Sequence, residues 1–234
     1  MIQKHHYQKT LAPINVRFYG LFRDGHHIGV ITFGYGTRPL HTIRNLFPSL
    51  RAPDYLEIGR MCVLDSEPRN TETQFLRMAE SMLRRDEPAR KVIFTWADGI
   101  RGKPGFVYQA ANYLYGGAIQ SEVYVDKDGN VLHPRLLITR YGRRDKAFTD
   151  GMGIHKIRGQ QFRYIRFLCS HKERKRLLRE STVQWSQDYP KMDSLHWTVA
   201  DEAGEVSREI REPPRFEGQV RFLHPASQRK ITEL

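Results

Sequence analysis

LEIGRMCVLDSEPRNTETQFL (56–76), followed by KVIFTWADG (91–99), decides how the rest of the chain is read. Tyr55 to Leu64 is rich in Ile, Leu and Val, side chains that fit a pleated surface, so it predicts a strand. Asn70 and Thr71 after Pro68 mark a helix start, with Gln74 three residues beyond Thr71 as a capping box. Phe75, Met78, Ala79, Met82 and Leu83 share one helical stripe and are its predicted buried face. Lys91 to Ala97 is a short continuous apolar run, the mark of a strand covered on both faces, and Asp98 stands at its end.

Toward the N-terminus, Ile14 to Phe22 and Ile28 to Phe33 alternate about Asp24-Gly25, which predicts a hairpin with a tight turn, and residues 38–47 suit a short helix stopped by Pro48. Toward the C-terminus, GIRGKPG (99–105) breaks regular structure, and Phe106 to Tyr115 has helical spacing up to Gly116 and Gly117. Ser121 to Val125 and Val131 to Ile138 flank Lys127-Asp128-Gly129 as a second hairpin, and Phe162 to Leu168 alternates as one more strand. HKERKRLLRE (171–180) reads as a basic helix; residues 201–217 are acid-rich and broken by Pro213 and Pro214. The expectation is an α/β protein with a mixed central sheet flanked by helices. Its catalytic domain would span residues 1–170, with a basic helix and an acidic C-terminal extension over 171–234.

A chain of 234 residues with 39% hydrophobic content builds one sizeable core. No run of about 18 apolar residues occurs and MIQKHHYQKT at the start has no apolar core, so no membrane segment and a cytoplasmic location are expected. Cys62 and Cys169, each in an apolar stretch, read as buried reduced thiols. The net charge of +12 is concentrated: residues 135–179 carry 14 Lys or Arg against Asp145, Asp150 and Glu173, a local balance of +11. Aromatics are interleaved with this block, the mix that phosphate contacts and base stacking need. Arg140, Arg143, Arg144, Lys146, Lys156, Arg158, Arg163 and Tyr164 are the nucleic-acid-binding candidates, with Tyr141, Phe162 or Tyr164 to fill a vacated base stack. A solvated face or an acidic protein partner is the alternative.

The element order of hairpin, helix, strand, capped helix, buried strand, helix and strand is that of a GNAT-type acyltransferase. HHYQK (5–9), LEIGRMCVLDSEPRNTETQFL (56–76), WADG (96–99) and GFVYQAANYLYGG (105–117) narrow this further, because together they resemble the Mom family of phage DNA-modification proteins over roughly residues 3–170. That resemblance implies a GNAT-like enzyme that converts adenine in DNA to N6-carbamoylmethyladenine and so shields phage DNA from host restriction. DNA is then the expected partner, in the host cytoplasm if the chain is phage-encoded. A homodimer is left open and the donor unassigned. A GNAT-like acyl or aminoacyl transferase acting on RNA or protein, or an inactive nucleic-acid-binding module, is the rival.

One stretch departs from ordinary GNAT acetyltransferases, which hold the coenzyme A pyrophosphate on a glycine-rich turn at a helix N-terminus. Here Arg69-Asn70-Thr71-Glu72-Thr73-Gln74 has no glycine and Glu72 would oppose a phosphate, so acetyl-CoA is doubtful as donor. Arg69, Asn70 and Thr73 are the donor-binding candidates, Thr73 serving either the donor or its own helix start. Asp98, at the carboxyl end of a buried strand, is a candidate general base or a loop cap. Tyr108 is placed to orient the base or ligate metal. Arg60 is a charge inside an apolar strand, either binding a donor carbonyl or phosphate or paired with Glu57 or Asp65. The resemblance further implies iron bound by His6, Tyr7, Asp98 and Tyr108, with His5 adjacent as a substitute. Reaching an exocyclic amine in stacked DNA requires base flipping.

Overall fold

The computed structural model describes residues 1–6, 13–36, 39–200 and 207–210. After a short α1 (Ile2–His5), β1 (Asn15–Arg23) and β2 (His26–Gly34) form the expected hairpin around Asp24 and Gly25, which both take positive φ. There follow α2 (Pro39–Leu46), β3 (Tyr55–Val63), α3 (Thr71–Asp86), β4 (Val92–Asp98), α4 (Phe106–Ala110), β5 (Leu114–Val125) and β6 (Val131–Leu132). The chain continues through α5 (Pro134–Tyr141), α6 (Lys146–Gly151), β7 (His155–Phe167), α7 (His171–Glu180), β8 (Trp197–Ala200) and β9 (Ser207–Ile210). Among the described residues these strands make one nine-stranded sheet in the order β1-β2-β3-β4-β7-β5-β6. β8 pairs with β7 at Ile157 and Arg158, past the end of β4, and β9 pairs with β8. All pairings are antiparallel except β3 with β4.

The apolar run of β4 is buried on both sides, as its sequence predicts. Ile93 and Ala97 enter one core with Phe75, Leu76, Ala79 and Leu83 of α3. Val92 and Phe94 enter the opposite core with Ile43 and Leu46 of α2 and Leu177 of α7. The result is a mixed sheet with helices on both faces. Cys62 is buried, Cys169 half-buried, and both thiols are free. Among the described residues no helix is long and apolar enough to cross a membrane.

Four local expectations are corrected. The predicted helix over 106–115 stops at Ala110, because Asn112 turns left-handed (φ 57) and the next residues alternate between the two cores: Tyr113 into one, Leu114 against the other. The second hairpin has only Val131 and Leu132 on its return arm. His133 caps α5 by accepting from the Arg135 N–H at 3.1 Å, and Pro134 opens the helix where no backbone donor is needed. The capping box of α3 is not formed: Asn70 is left-handed (φ 69) and the Thr71 hydroxyl donates to the Pro68 carbonyl at 2.7 Å. The helix is also rotated from its predicted stripe, exposing Met78 (48%) and Met82 (39%) and burying Leu76 and Glu80, the latter paired through Oε2 with Arg166 at 3.2 Å.

Residues beyond 180 join this fold. Trp185 packs on Gly116 and stacks on Phe47 at 5.7 Å, while Tyr189 donates to the Tyr113 carbonyl at 2.8 Å. Trp197 is fully buried in the α3-side core and its indole N–H donates to the Ile100 carbonyl at 2.9 Å. Most of the acid-rich stretch expected at 201–217 lies outside the described residues.

Candidate active site

β3 and β4 pair only at Tyr55 with Val92, Leu56 with Ile93 and Glu57 with Phe94, and then separate. Gly59 marks the cause: the β2–β3 register slips there, with Phe33 opposite Ile58 but Thr32 opposite Arg60. A side chain at Gly59 would collide with the Asn15 amide, and the Arg60 N–H donates to the Thr32 hydroxyl at 2.9 Å. The divergence opens a cleft of about 440 Å³ at the carboxyl end of the parallel pair, where α/β sheets place their ligands. Residues 57–61 of β3 and 96–98 of β4 form its walls. α4 and the loop before it close one side, with His6 and Glu72 at its border.

His6, Arg60, Asp98 and Tyr108, distant in sequence, therefore line one cleft. Burial raises the Asp98 carboxyl above its ordinary range, opposed by the Arg101 guanidinium 3.8 Å away. Burial also raises the Tyr108 phenol, which shares a hydrogen bond with Thr95 and packs against the rings of Tyr113 (5.6 Å) and Tyr164 (5.5 Å). Glu57 and Trp96, which also line the cleft, were not singled out from sequence for a role of their own. Glu57 is half-buried and burial pushes its carboxyl up to about 7, against the pull of Arg60. Trp96 presents a half-buried indole on the same sheet face as Asp98, two residues away, with the Arg163 guanidinium 6.0 Å from its ring.

Thr73 is half-buried on the first turn of α3 and does not line the cleft. Arg69 and Asn70 border a separate hollow of about 180 Å³ together with Asp65, Glu67 and Glu72, three carboxylates that give it an acidic lining.

The basic candidates divide by partner. Arg143 pairs with Asp145 (2.7 Å), Arg144 and Lys156 with Glu122 (3.1 and 3.5 Å) and Lys146 with Asp150 (2.6 Å). Arg140 lies 5.0 Å from the Tyr141 ring and Arg158 is exposed on β7. Arg163 is half-buried, its pKa lowered by desolvation, and its Nε has no acceptor among the described residues. Tyr164 and Phe162, expected to face DNA, are core residues instead. Tyr164 is fully buried and its hydroxyl donates to the Pro104 carbonyl while accepting from Gln109 at 3.0 Å. It braces the loop that leads into α4, the helix that carries Tyr108. Alternation along β7 puts both rings on the α3 side, away from solvent.

A model of the Mom protein family matches residues 1–191. The chain belongs to the Mom protein family. It is 31% identical over 196 residues to the methylcarbamoylase Mom of Escherichia phage Mu, covering 82% of this chain and 78% of that protein. Among solved structures it superposes on aminoglycoside 6′-acetyltransferase type Ii with a TM-score of 0.38 and 9% identity, over 68% of this chain and 72% of that one. A tandem GNAT protein from the clavulanic acid biosynthesis pathway gives a TM-score of 0.35 at 8% identity, over 82% and 60%.

The iron ligands implied by the Mom resemblance meet the structure unevenly. His6, Asp98 and Tyr108 share the cleft, and Tyr7 lies outside the described residues. Asp98 faces the cation of Arg101, and Tyr108 is a phenol whose ionisation burial opposes. Among the described residues no three His, Cys, Asp or Glu side chains gather as metal ligands. Of the ligand set implied for this Mom-family chain, the structure thus brings together His6, Asp98 and Tyr108 as lining of one cleft.

Proposed function

We propose that this chain transfers a carbamoylmethyl group to the N6 amino group of adenine in DNA, within the β3–β4 cleft, and thereby protects that DNA from restriction. The observation that carries the reading is the convergence of Arg60, Asp98, Tyr108 and His6 on that one cleft. Membership of the Mom family and the methylcarbamoylase activity named for the phage Mu relative support it. An adenine flipped from the duplex would stack on Trp96, two residues from Asp98 on the same strand face, so that Asp98 accepts a hydrogen bond from the exocyclic amine. Arg60, whose backbone is fixed at the bulge, would bind the carbonyl of the transferred group. Tyr108 would donate a hydrogen bond into the cleft, since burial keeps it protonated. The acidic hollow at the start of α3 favours a donor other than coenzyme A.

Mass spectrometry of nucleosides from expressing cells tests the reading. A carbamoylmethylated deoxyadenosine, absent from cells making an Arg60→Ala variant, is the expected result. Unmodified DNA beside modified RNA or protein would replace it with the acyl-transfer reading.

A further inference from the structure

Glu57 is the last β3 residue paired with β4, opposite Phe94, so its side chain stands at the apex of the cleft. The turn after β2 closes against it: Gly36 (φ +71) has no room for a Cβ, which would strike the Glu57 carboxylate at Oε2. The carboxylate is therefore placed by backbone on one side and open to the cleft on the other. Among the described residues no hydrogen bond or ion pair occupies it, and the charge that acts on it is that of Arg60. Asp98, across the cleft, is by contrast engaged with Arg101. The other ionisable groups around the cleft are Glu72 from α3, Tyr108 from α4, Lys103 from the preceding loop and His6 from the N-terminal segment. Tyr55, on the same strand, donates its hydroxyl to the Tyr35 carbonyl at 2.9 Å.

We infer that Glu57 is a catalytic residue, the proton acceptor of the transfer to adenine. The inference rests on the proposed reaction. The adenine amine is a weak nucleophile because its lone pair is delocalised into the ring, so the nitrogen must lose a proton as it attacks. In the balanced step the N6 lone pair forms a bond to the electrophilic carbon of the donor, whose bond to its leaving group breaks with the electron pair departing on that group. The N6 proton goes to the Glu57 carboxylate, which becomes the neutral acid. Burial, opposed by Arg60, brings that carboxyl close to neutrality, where a base is both ionised and effective. Asp98 is then left to position the amine.

The test uses the full-length chain acting on added plasmid DNA, with host-cell extract supplying the donor, across pH 5.5–9 (about the span over which a group near neutrality titrates). The wild-type rate should rise with pH through about 7. Glu57→Gln should lose at least ~100-fold and the rise with it, whereas Glu57→Asp should keep the rise at a lower rate. Carbon-13 NMR of carboxyl-labelled glutamate supplies a readout independent of turnover: the resonance missing from either variant should titrate near 7 in wild type. Glu57→Gln within a few-fold of wild type, or a midpoint in the ordinary carboxylate range, overturns the inference. Wild-type protein that leaves adenine in DNA unmodified overturns the proposed reaction itself, whatever the NMR midpoint.

Discussion

Asp98 is nearly isosteric with Asn, so Asp98→Asn removes the charge beside Arg101 while leaving the end of β4 packed as it was. Activity should fall ~10²-fold or more if the carboxylate meets substrate. A loop-capping role alone would leave activity intact, because Asn accepts the same backbone hydrogen bonds. Nucleoside analysis beside a melting curve of the variant separates the two. Glu57 adds a dependence on pH. Its carboxyl titrates near 7 when folded but in the ordinary range when unfolded, so between those values the native state binds the extra proton and stability falls as pH rises. Glu57→Gln should therefore melt above wild type at pH 8 and level with it near pH 4; equal melting at pH 8 would show that burial does not tax this group. Arg60 and Asp98 were legible because a charge inside an apolar strand, or at its end, needs a reason. Glu57 was read only as a partner for Arg60, and Trp96 was hidden within an apolar run whose exposure no pattern reports. Thr73 and Tyr164 were misplaced because a helix's first turn, or a strand's alternation, has two faces and the sequence does not say which one meets solvent.

The separation of β3 from β4 is an element-scale device, and Gly59 is its hinge. Gly59→Ala would drive a methyl into the Asn15 side chain, so the bulge must flatten or the hairpin must shift. A cost of about 1–3 kcal/mol is expected, as for other overpacked sites. Activity should drop further than that loss implies, because the Arg60 N–H would leave the Thr32 hydroxyl. Unchanged activity at reduced stability would detach the bulge from the site. The α5–α6 region carries a different expectation. Arg143, Arg144 and Lys146 are exposed and paired with nearby acids, Arg143 lying over the Phe148 ring as well, so phosphates can compete for them. Reversing these charges should weaken binding to all DNA sequences alike and flatten its salt dependence, by about one unit of slope for each phosphate no longer neutralised. An unaltered slope removes this surface from the interface. The elements themselves were read well where periodicity was long, as in β1, β2, β4 and α7. They were misread at 106–115 and 131–138, where helix and strand spacing fit the same few residues and a left-handed Asn112 and a capping His133 decide.

At the scale of the molecule, the packing of residues 181–199 is the feature hardest to foresee, because nothing local to Trp185 or Trp197 names the surfaces they cover. Trp185 lies over Gly116, where any side chain would collide with its ring, and the β5 backbone at Tyr115 pairs with Ser186. Trp197 and Leu195 are fully buried in the α3-side core, with the Trp197 indole bonded to the Ile100 carbonyl just after Asp98. Deleting residues 181–234 removes all three. Loss of the fully buried Trp197 costs about 3–5 kcal/mol, and adding to it the buried Leu195 and the half-buried Trp185 rivals the whole stability of an ordinary domain. The truncated chain should be insoluble or lack a cooperative melt, and it should leave DNA unmodified. A cut after Ile210 instead spares Trp185, Leu195 and Trp197 together with β8 and β9, and should keep both the melt and the activity. Circular dichroism of the two truncations, with nucleoside analysis of the cells that make them, reads the outcome. A folded, active chain ending at residue 180 would mean that the two tryptophans cover the domain without holding it together.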